Sequence, residues 1–137
     1  MKRNITIVIG HPDPAPDRFC RALARSYADG AREAGHNVRT VDVAVLEVPY
    51  LRTAWEFKQA APPRSLTASA QAVFDADHLV LVFPLWLGGP PALLKAFLEQ
   101  VMRPGQAFTY GGKSSTSRFS RRRSARLIVT MGMPGCR

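Results

Sequence analysis

Residues 79–91, LVLVFPLWLGGPP, decide the fold of this chain. Five apolar residues of the strand-forming kind, Leu79 to Phe83, run into a turn rich in proline and glycine, and an apolar helix from Ala92 to Met102 follows at once. In an open α/β sheet, a parallel strand of this kind delivers its loop to the ligand-binding edge. Trp86 places a flat aromatic group in that loop, which suits a flat ring as ligand. An ordinary buried strand and turn is the alternative that these residues leave open.

The rest of the chain continues the alternation of strands and helices, and no repeat is visible. Alternation of this kind predicts one α/β domain over residues 1–137, with a doubly wound parallel sheet and helices on both faces. The other predicted elements, in order, are a strand over Ile5–Ile9, a helix over Phe19–Ala34, a strand through Val38, Val41, Val43 and Val45, a long connection over Pro49–Pro63, a helix over Ser65–Asp75 and a strand over Arg126–Thr130.

The first helix has the clearest pattern. Its apolar residues recur every four positions, which predicts one buried face. Asp17 is expected to cap its N-terminus, and Gly35 to end it. The residues of the predicted buried face are Phe19, Leu23, Tyr27 and Ala31.

Composition excludes several classes of protein. The chain is 46% hydrophobic, so it is globular, but its longest apolar run, Leu79 to Leu87, is broken by Pro84 and is too short to span a membrane. It begins without the long apolar segment of a signal peptide, which predicts a cytoplasmic protein without membrane insertion. Cys20 and Cys136 form no redox or metal-ligand spacing and are expected to be free thiols.

Hydrolase and metal chemistry are also poorly supported. No Gly-x-Ser-x-Gly motif occurs, and no His, Cys and carboxylate cluster has zinc-ligand spacing, so no metal is predicted. His36 and His78 precede strands two and three, at the edge of the sheet away from the expected site. Both are predicted to be surface residues.

The net charge of +9 is concentrated at one end of the sequence. Residues 1–102 carry 11 Lys and Arg against 10 Asp and Glu, whereas residues 103–137 carry 8 and no acid. The stretch Ser114–Arg123 is typical of a solvated basic loop, and the alternatives are binding of an anionic cofactor or of nucleic acid. Since Phe119 is the sole aromatic group among these arginines, we expect no nucleic-acid partner.

Three loops, Gly10–Cys20, Pro84–Pro91 and Thr130–Gly135, are expected to meet at one crevice. The first leads into a helix N-terminus, which attracts phosphate. His11 and Arg18 add hydrogen-bonding or cationic groups, although the acids Asp13 and Asp17 stand beside them. His11 is either a phosphate ligand or catalytic acid, or a loop histidine bonded to a nearby carbonyl.

Four blocks of this sequence carry a resemblance. They are Gly10-His11-Pro12, Phe83-Pro84-Leu85-Trp86 with Pro91-Ala92-Leu93-Leu94-Lys95, Pro104-Gly105-x-Ala107-Phe108-x-Tyr110-Gly111, and Thr130-Met131-Gly132. Together they resemble the NAD(P)H:quinone oxidoreductase (NAD(P)H dehydrogenase) family of flavodoxin-like flavoproteins. The resemblance implies a flavodoxin-like sheet with strand order 2-1-3-4 and with the last strand–helix unit missing.

The resemblance also implies a function and a site. The family is a set of homodimeric enzymes that transfer a hydride from NAD(P)H through a flavin, FAD or FMN, to a quinone. By position, His11, Arg18, Phe19 and Cys20 occupy the flavin phosphate loop; Pro84, Leu85, Trp86 and Leu87 line the isoalloxazine; Thr130, Met131 and Gly132 approach its polar edge; and Phe108 and Tyr110 lie near the substrate pocket.

Two departures from the family pattern affect these expectations. Arg18 stands where a small polar residue is usual. Family members also continue past the fourth-strand loop, so the chain is expected to be a truncated form with marginal stability and impaired activity. A different class of function, a non-catalytic ancillary subunit of a potassium efflux system, is the alternative.

Overall fold

The computed structural model describes residues 1–105 and 123–132. Four strands form one parallel sheet in the order β2-β1-β3-β4. This confirms the predicted flavodoxin-like arrangement. The elements are β1 (Asn4–Ile9), α1 (Phe19–Glu33), β2 (Asn37–Asp42), α2 (Ala54–Gln59), α3 (Thr67–Asp75), β3 (His78–Pro84), α4 (Ala92–Val101) and β4 (Ser124–Thr130), with single 3₁₀ turns at Val43–Val45 and Arg64–Leu66.

The core lies in two layers, one on each face of the sheet. Alternate residues of β1 point to opposite faces, as the pleat of a strand requires. Ile5, Ile7 and Ile9 pack under α1, whereas Val8 packs under α3 and α4. β1 and β3 are therefore covered on both faces, which is why their interior residues are apolar with one exception. The exception is Thr6, whose buried hydroxyl donates to the Ala72 carbonyl at 2.6 Å.

The second strand ends earlier than predicted. β2 stops at Asp42, because Val43–Val45 turns into a 3₁₀ helix. The Asp42 carboxylate caps this turn by accepting a hydrogen bond of 3.1 Å from the amide of Ala44. Val43 and Val45 thus lie beyond the strand. The alternating valines did not locate its end, because a side-chain cap is not visible in that alternation.

The buried face of α1 differs from the prediction only in part, since Ala31 is buried as expected and Leu23 and Tyr27 are partly buried against the core. Cys20, Ala24, Ala28 and Ala31 are buried, together with Arg21, whereas Phe19 is 66% exposed. Small side chains let the helix lie close to the sheet, so the stripe that faces the core is not the one with the largest apolar residues. Asp17 is not the N-cap. Arg18 occupies that position, and its side chain makes no capping bond.

The long connection over residues 49–63 contains a helix that was not predicted. α2 begins after Thr53, whose hydroxyl accepts a hydrogen bond of 3.1 Å from the Glu56 amide, and the Glu56 carboxylate accepts one of 2.7 Å from the Arg52 amide. This is a capping-box arrangement, and Thr53-Ala54-Trp55-Glu56 was its visible signal. In the described ranges, no helix is both long and apolar enough to cross a lipid bilayer.

Gly10 lies where the start of the first loop passes close to Leu94 of α4 and Phe83 of β3. Its amide donates to the carbonyl of Val82 at 2.7 Å. A Cβ at this position would lie 2.5 Å from Cδ2 of Leu94 and 3.0 Å from Cβ of Phe83. Leu94 is fully buried, so its side chain has little room to move away.

We therefore expect Gly10→Ala to lower the free energy of unfolding by about 1–3 kcal/mol, the usual cost of overpacking. Gly30→Ala is the matched control, because Gly30 lies inside α1 with no atom near its would-be Cβ. It should raise the stability by about 0.5–1 kcal/mol through helix propensity. Urea denaturation measures both. Equal effects of the two variants would contradict this account of Gly10.

Candidate functional site

Three loops meet at the carboxyl edge of the sheet, as predicted, and each is numbered here by the strand that it follows. They are the first loop (Gly10–Cys20), the third loop (Pro84–Pro91) and the fourth loop, of which Thr130–Gly132 are described. The rings of His11 and Trp86 meet edge to face with centroids 5.8 Å apart, which joins the first loop to the third. The amide of Leu85 donates to the carbonyl of Thr130 at 2.8 Å, and Sγ of Cys20 lies 3.2 Å from the Thr130 hydroxyl. The structure therefore brings together predicted residues from all three loops, namely His11, Cys20, Leu85, Trp86 and Thr130.

The N-terminus of α1 opens into this crevice with free donors. The amides of Phe19 and Cys20 have no hydrogen-bond partner in the described part of the chain, and the first turn contains no acid. Free amides and the helix dipole favour an anion here. The Asp13 carboxylate beside them is already occupied. It accepts from the Ala15 amide at 2.9 Å and from Nε of Arg18 at 2.7 Å, and these contacts lower the pKa of Asp13.

His11 is held by an amide, not by the carbonyl that the sequence suggested. Its Nδ1 accepts a hydrogen bond of 3.0 Å from the Asp13 N–H. Burial lowers the pKa of His11; the Asp13 carboxylate opposes this shift, and Arg18 and Arg21 add to it. The neutral imidazole thus carries its hydrogen on Nε2, which has no partner among residues 1–105 and 123–132.

The third loop is a tight turn with an exposed backbone. Trp86 and Gly89 exchange two backbone hydrogen bonds of 2.9 and 3.0 Å, while Leu87 and Gly88 between them have φ values of 49° and 76°. The amides of Leu87 and Gly88 donate to no described residue, the Leu87 side chain is fully exposed, and Trp86 is 49% exposed. The turn therefore offers backbone donors beside a partly exposed aromatic surface.

The remaining predicted residues take three kinds of position. Pro84 is buried at the end of β3, where it pairs with Thr130, the last residue of β4. Met131 and Gly132 follow Thr130 and are exposed. The predicted pocket residues Phe108 and Tyr110, together with Cys136 and most of the basic stretch Ser114–Arg123, lie outside the described residues.

Sequence reasoning missed the most strongly bound side chain of the site, Arg21. It is 8% exposed, forms a bidentate ion pair with Asp42 at 2.5 and 3.1 Å, and donates twice to the Asp13 carbonyl. The Asp42 carboxylate raises the pKa of Arg21, so the guanidinium stays charged. The one available signal was an arginine within the small-residue stripe Cys20, Ala24, Ala28.

A second concavity of about 480 Å³ lies at the opposite edge of the sheet, against His36, His78 and Arg126. His78 is half-buried and not a plain surface residue. Its Nε2 lies 3.0 Å from the Tyr27 hydroxyl and its Nδ1 lies 2.7 Å from the Ser124 hydroxyl. Burial, followed by Arg126 and Arg3, lowers the pKa of His78. Because both ring nitrogens are bonded, His78 joins α1 to the starts of β3 and β4.

Comparisons with known proteins agree with this fold. A family model described as the flavodoxin-like fold matches residues 3–137. An uncharacterized NAD(P)H oxidoreductase of Haemophilus influenzae is 30% identical over 115 residues, covering 81% of this chain and 56% of that protein. An FMN-dependent NADH:quinone oxidoreductase of Bordetella petrii is 29% identical over 111 residues, covering 73% and 50%. The chain thus spans about half the length of these curated relatives.

One solved structure gives the same picture of the fold. The NAD(P)H:quinone oxidoreductase from Methanothermobacter marburgensis superposes with a TM-score of 0.75 at 21% identity, over 96% of this chain and 68% of that one. At this identity the likeness is one of architecture.

The contact between His11 and Trp86 can be tested by titration. Since burial is the largest cause of the lowered His11 pKa, Trp86→Ala should move this pKa upward, toward the ordinary value of about 6.5. A histidine whose pKa is lower in the folded state than in the unfolded state costs stability as the pH falls from the unfolded pKa through the folded pKa. With a smaller difference between the two pKa values, the native state of Trp86→Ala should lose less of its free energy of unfolding over this pH range through His11. Proton NMR of the imidazole follows the midpoint. A lower or unchanged His11 midpoint in Trp86→Ala would contradict this.

Proposed function

Because this chain belongs to the family with the flavodoxin-like fold, we propose that it binds FMN and takes part in the transfer of a hydride from NAD(P)H to a quinone. The convergence of three loops at one sheet edge is the observation that carries the proposal. The names of the relatives support it, since one is an NAD(P)H oxidoreductase and another is an FMN-dependent NADH:quinone oxidoreductase. That second name also favours FMN over FAD.

The first loop suits the phosphate of FMN. The free amides of Phe19 and Cys20 would hold the phosphate oxygens, and Nε2–H of His11 would add a neutral donor. Arg18 would add a charge. Asp13 holds only its Nε, so the two terminal nitrogens of the guanidinium donate to no described residue. On this reading the unusual arginine strengthens the phosphate site.

The third and fourth loops suit the ring of FMN. The amides at the tip of the turn, Leu87 and Gly88, would donate to its polar edge, and Trp86 would cover it from water. When bound, FMN would supply the two-electron redox chemistry, which no side chain of the crevice offers. If nicotinamide and quinone use the same face of the ring, they must bind in turn, which gives a ping-pong order.

We also propose that the chain forms the homodimer that its resemblance implies, with the crevice at or near the interface. Several large apolar side chains are exposed on segments that come after the carboxyl ends of β1, β2 and β3, and a partner would cover them. They are Phe19 on α1, Tyr50 and Trp55 on the connection after β2, and Leu87 on the third loop. A cytoplasmic location remains a prediction from the sequence.

The direct experiment is flavin reconstitution followed by an activity assay. The purified chain should acquire flavin absorbance bands with FMN and then oxidise NADH or NADPH in the presence of menadione. Failure to retain FMN would overturn the proposal. Retention of FMN without menadione-dependent turnover would instead favour the non-catalytic ancillary subunit.

The third loop can be tested with a matched pair of glycines. Gly88 and Gly35 both have positive φ, 76° and 82°, and neither has an atom near its would-be Cβ. A β-branched residue strains both alike, but Gly35 ends α1 away from the crevice. We expect Gly88→Val to weaken FMN binding by at least about tenfold, the loss of roughly 1.4 kcal/mol, measured by flavin fluorescence. Gly35→Val should bind FMN normally, and equal losses would remove the loop from the site.

The dimer can be tested by sedimentation equilibrium. Trp55→Glu places a charge on the exposed apolar surface of α2 and should shift the chain toward monomer. Ser26→Glu adds the same charge at an exposed position of α1 that lines the concavity at the opposite edge of the sheet, and it should leave the association unchanged. A monomeric wild-type chain would contradict the homodimer.

A further inference from the structure

We propose that the ion pair of Arg21 and Asp42 positions His11, by fixing Asp13 so that the imidazole keeps its hydrogen on Nε2 and offers it to a ligand in the crevice. The inference rests on the proposed function in one respect, since the expected ligand group is the FMN phosphate. Arg21 is thus a positioning residue, which acts through His11 and does not touch the ligand.

Arg21 takes its orientation from the sheet and not from the loop. Its Nη1 lies 2.5 Å from Oδ2 of Asp42, and its Nη2 lies 3.1 Å from Oδ1. Asp42 is the last residue of β2 and is fixed in turn by the amide of Ala44 at 3.1 Å. A bidentate pair of this kind sets the plane of the guanidinium as well as its position.

The same guanidinium holds the first loop. Nη2 and Nε of Arg21 donate to the Asp13 carbonyl at 3.0 and 3.3 Å. The Asp13 carboxylate is held separately by the Ala15 amide and by Arg18, and Pro14 restricts the backbone of the residue before it. Asp13 is therefore fixed at its carbonyl and at its side chain, which fixes the direction of its N–H.

That N–H determines the state of His11. An amide nitrogen can only donate, so the ring nitrogen 3.0 Å from it, Nδ1, must be unprotonated. The other neutral tautomer would set two N–H groups against each other. The clamp on Asp13 thus selects one tautomer and leaves Nε2–H as the free donor.

A simpler role would be a clasp that only joins α1 to β2. The two roles differ in one observable. Loss of a clasp lowers stability but leaves the His11 tautomer unchanged, whereas loss of a positioning device releases the tautomer.

The experiment uses the full chain without FMN, labelled with ¹⁵N-histidine, at pH 8, where His11 is neutral. A long-range ¹H–¹⁵N correlation should show the wild-type chain with the hydrogen of His11 on Nε2 alone. The double variant Arg21→Met with Asp42→Asn leaves no unpaired buried charge, and its asparagine can still accept from the Ala44 amide. It should show a mixture of tautomers.

The control is the double variant Arg32→Met with Asp29→Asn, which removes an exposed ion pair from the same helix and should leave the tautomer unchanged. If the first double variant does not fold, Arg21→Lys replaces it, because one ammonium group cannot reproduce the fork that reaches both Asp42 oxygens and the Asp13 carbonyl. A mixed tautomer in the wild type, or a single one in the folded Arg21 variant, would overturn the proposal.

FMN titration of the same proteins separates this inference from the proposed function. We expect the dissociation constant to rise about tenfold in the Arg21 and Asp42 double variant, the effect of one hydrogen bond to a charged group, and to stay constant in the control. If the wild type does not bind FMN, the proposed function fails while the tautomer result stands. If affinity falls with the tautomer unchanged, the pair is a clasp and the inference fails.

Discussion

The parallel pairing of β3 with β1 on one side and β4 on the other is the constraint on which the crevice depends. Val82 lies in register with Ile9 of β1 and with Ile128 of β4, so the three strands run in one direction and end at the same edge. Each strand then releases a loop at that edge, and side-chain and backbone contacts tie the loops together. An antiparallel neighbour would have sent one of these loops to the opposite edge of the sheet, where His78 lies.

Much of this architecture could be predicted from the sequence, for a physical reason. β1 and β3 are buried on both faces, so their residues are apolar almost throughout, with Thr6 as the interior exception, and such runs are visible without knowledge of the partners. The elements that were misjudged depend on polar detail. β2 ends because one carboxylate caps the next turn, and α2 exists because Thr53 and Glu56 cap its start. On α1, alanines and an arginine form the buried stripe in place of the larger residues.

The candidate site divides in the same way. The sequence placed His11, Trp86 and Thr130 in one crevice, because the ends of parallel strands meet. It did not identify Arg21, whose partners lie 8 and 21 positions away on other elements. It also suggested the wrong kind of partner for His11, since whether an imidazole meets an amide or a carbonyl is set by the path of the backbone. The regularities of the fold can thus be predicted from the sequence, whereas the hydrogen bonds that decide the protonation of His11 cannot.

Arg103 gives α2 an unusual attachment. None of the residues of α2 is buried, yet Nη1 of Arg103 donates to the carbonyls of Glu56 and Ala60 at 2.8 and 2.7 Å. Arg103 is 4% exposed and forms no ion pair within the described residues. The guanidinium of Arg103 therefore anchors α2 by its last carbonyl groups, since the helix itself buries little apolar surface. In the language of hydrogen exchange, we therefore expect residues 54–60 to open as a small unit of their own, at a lower free energy than the strands of the sheet.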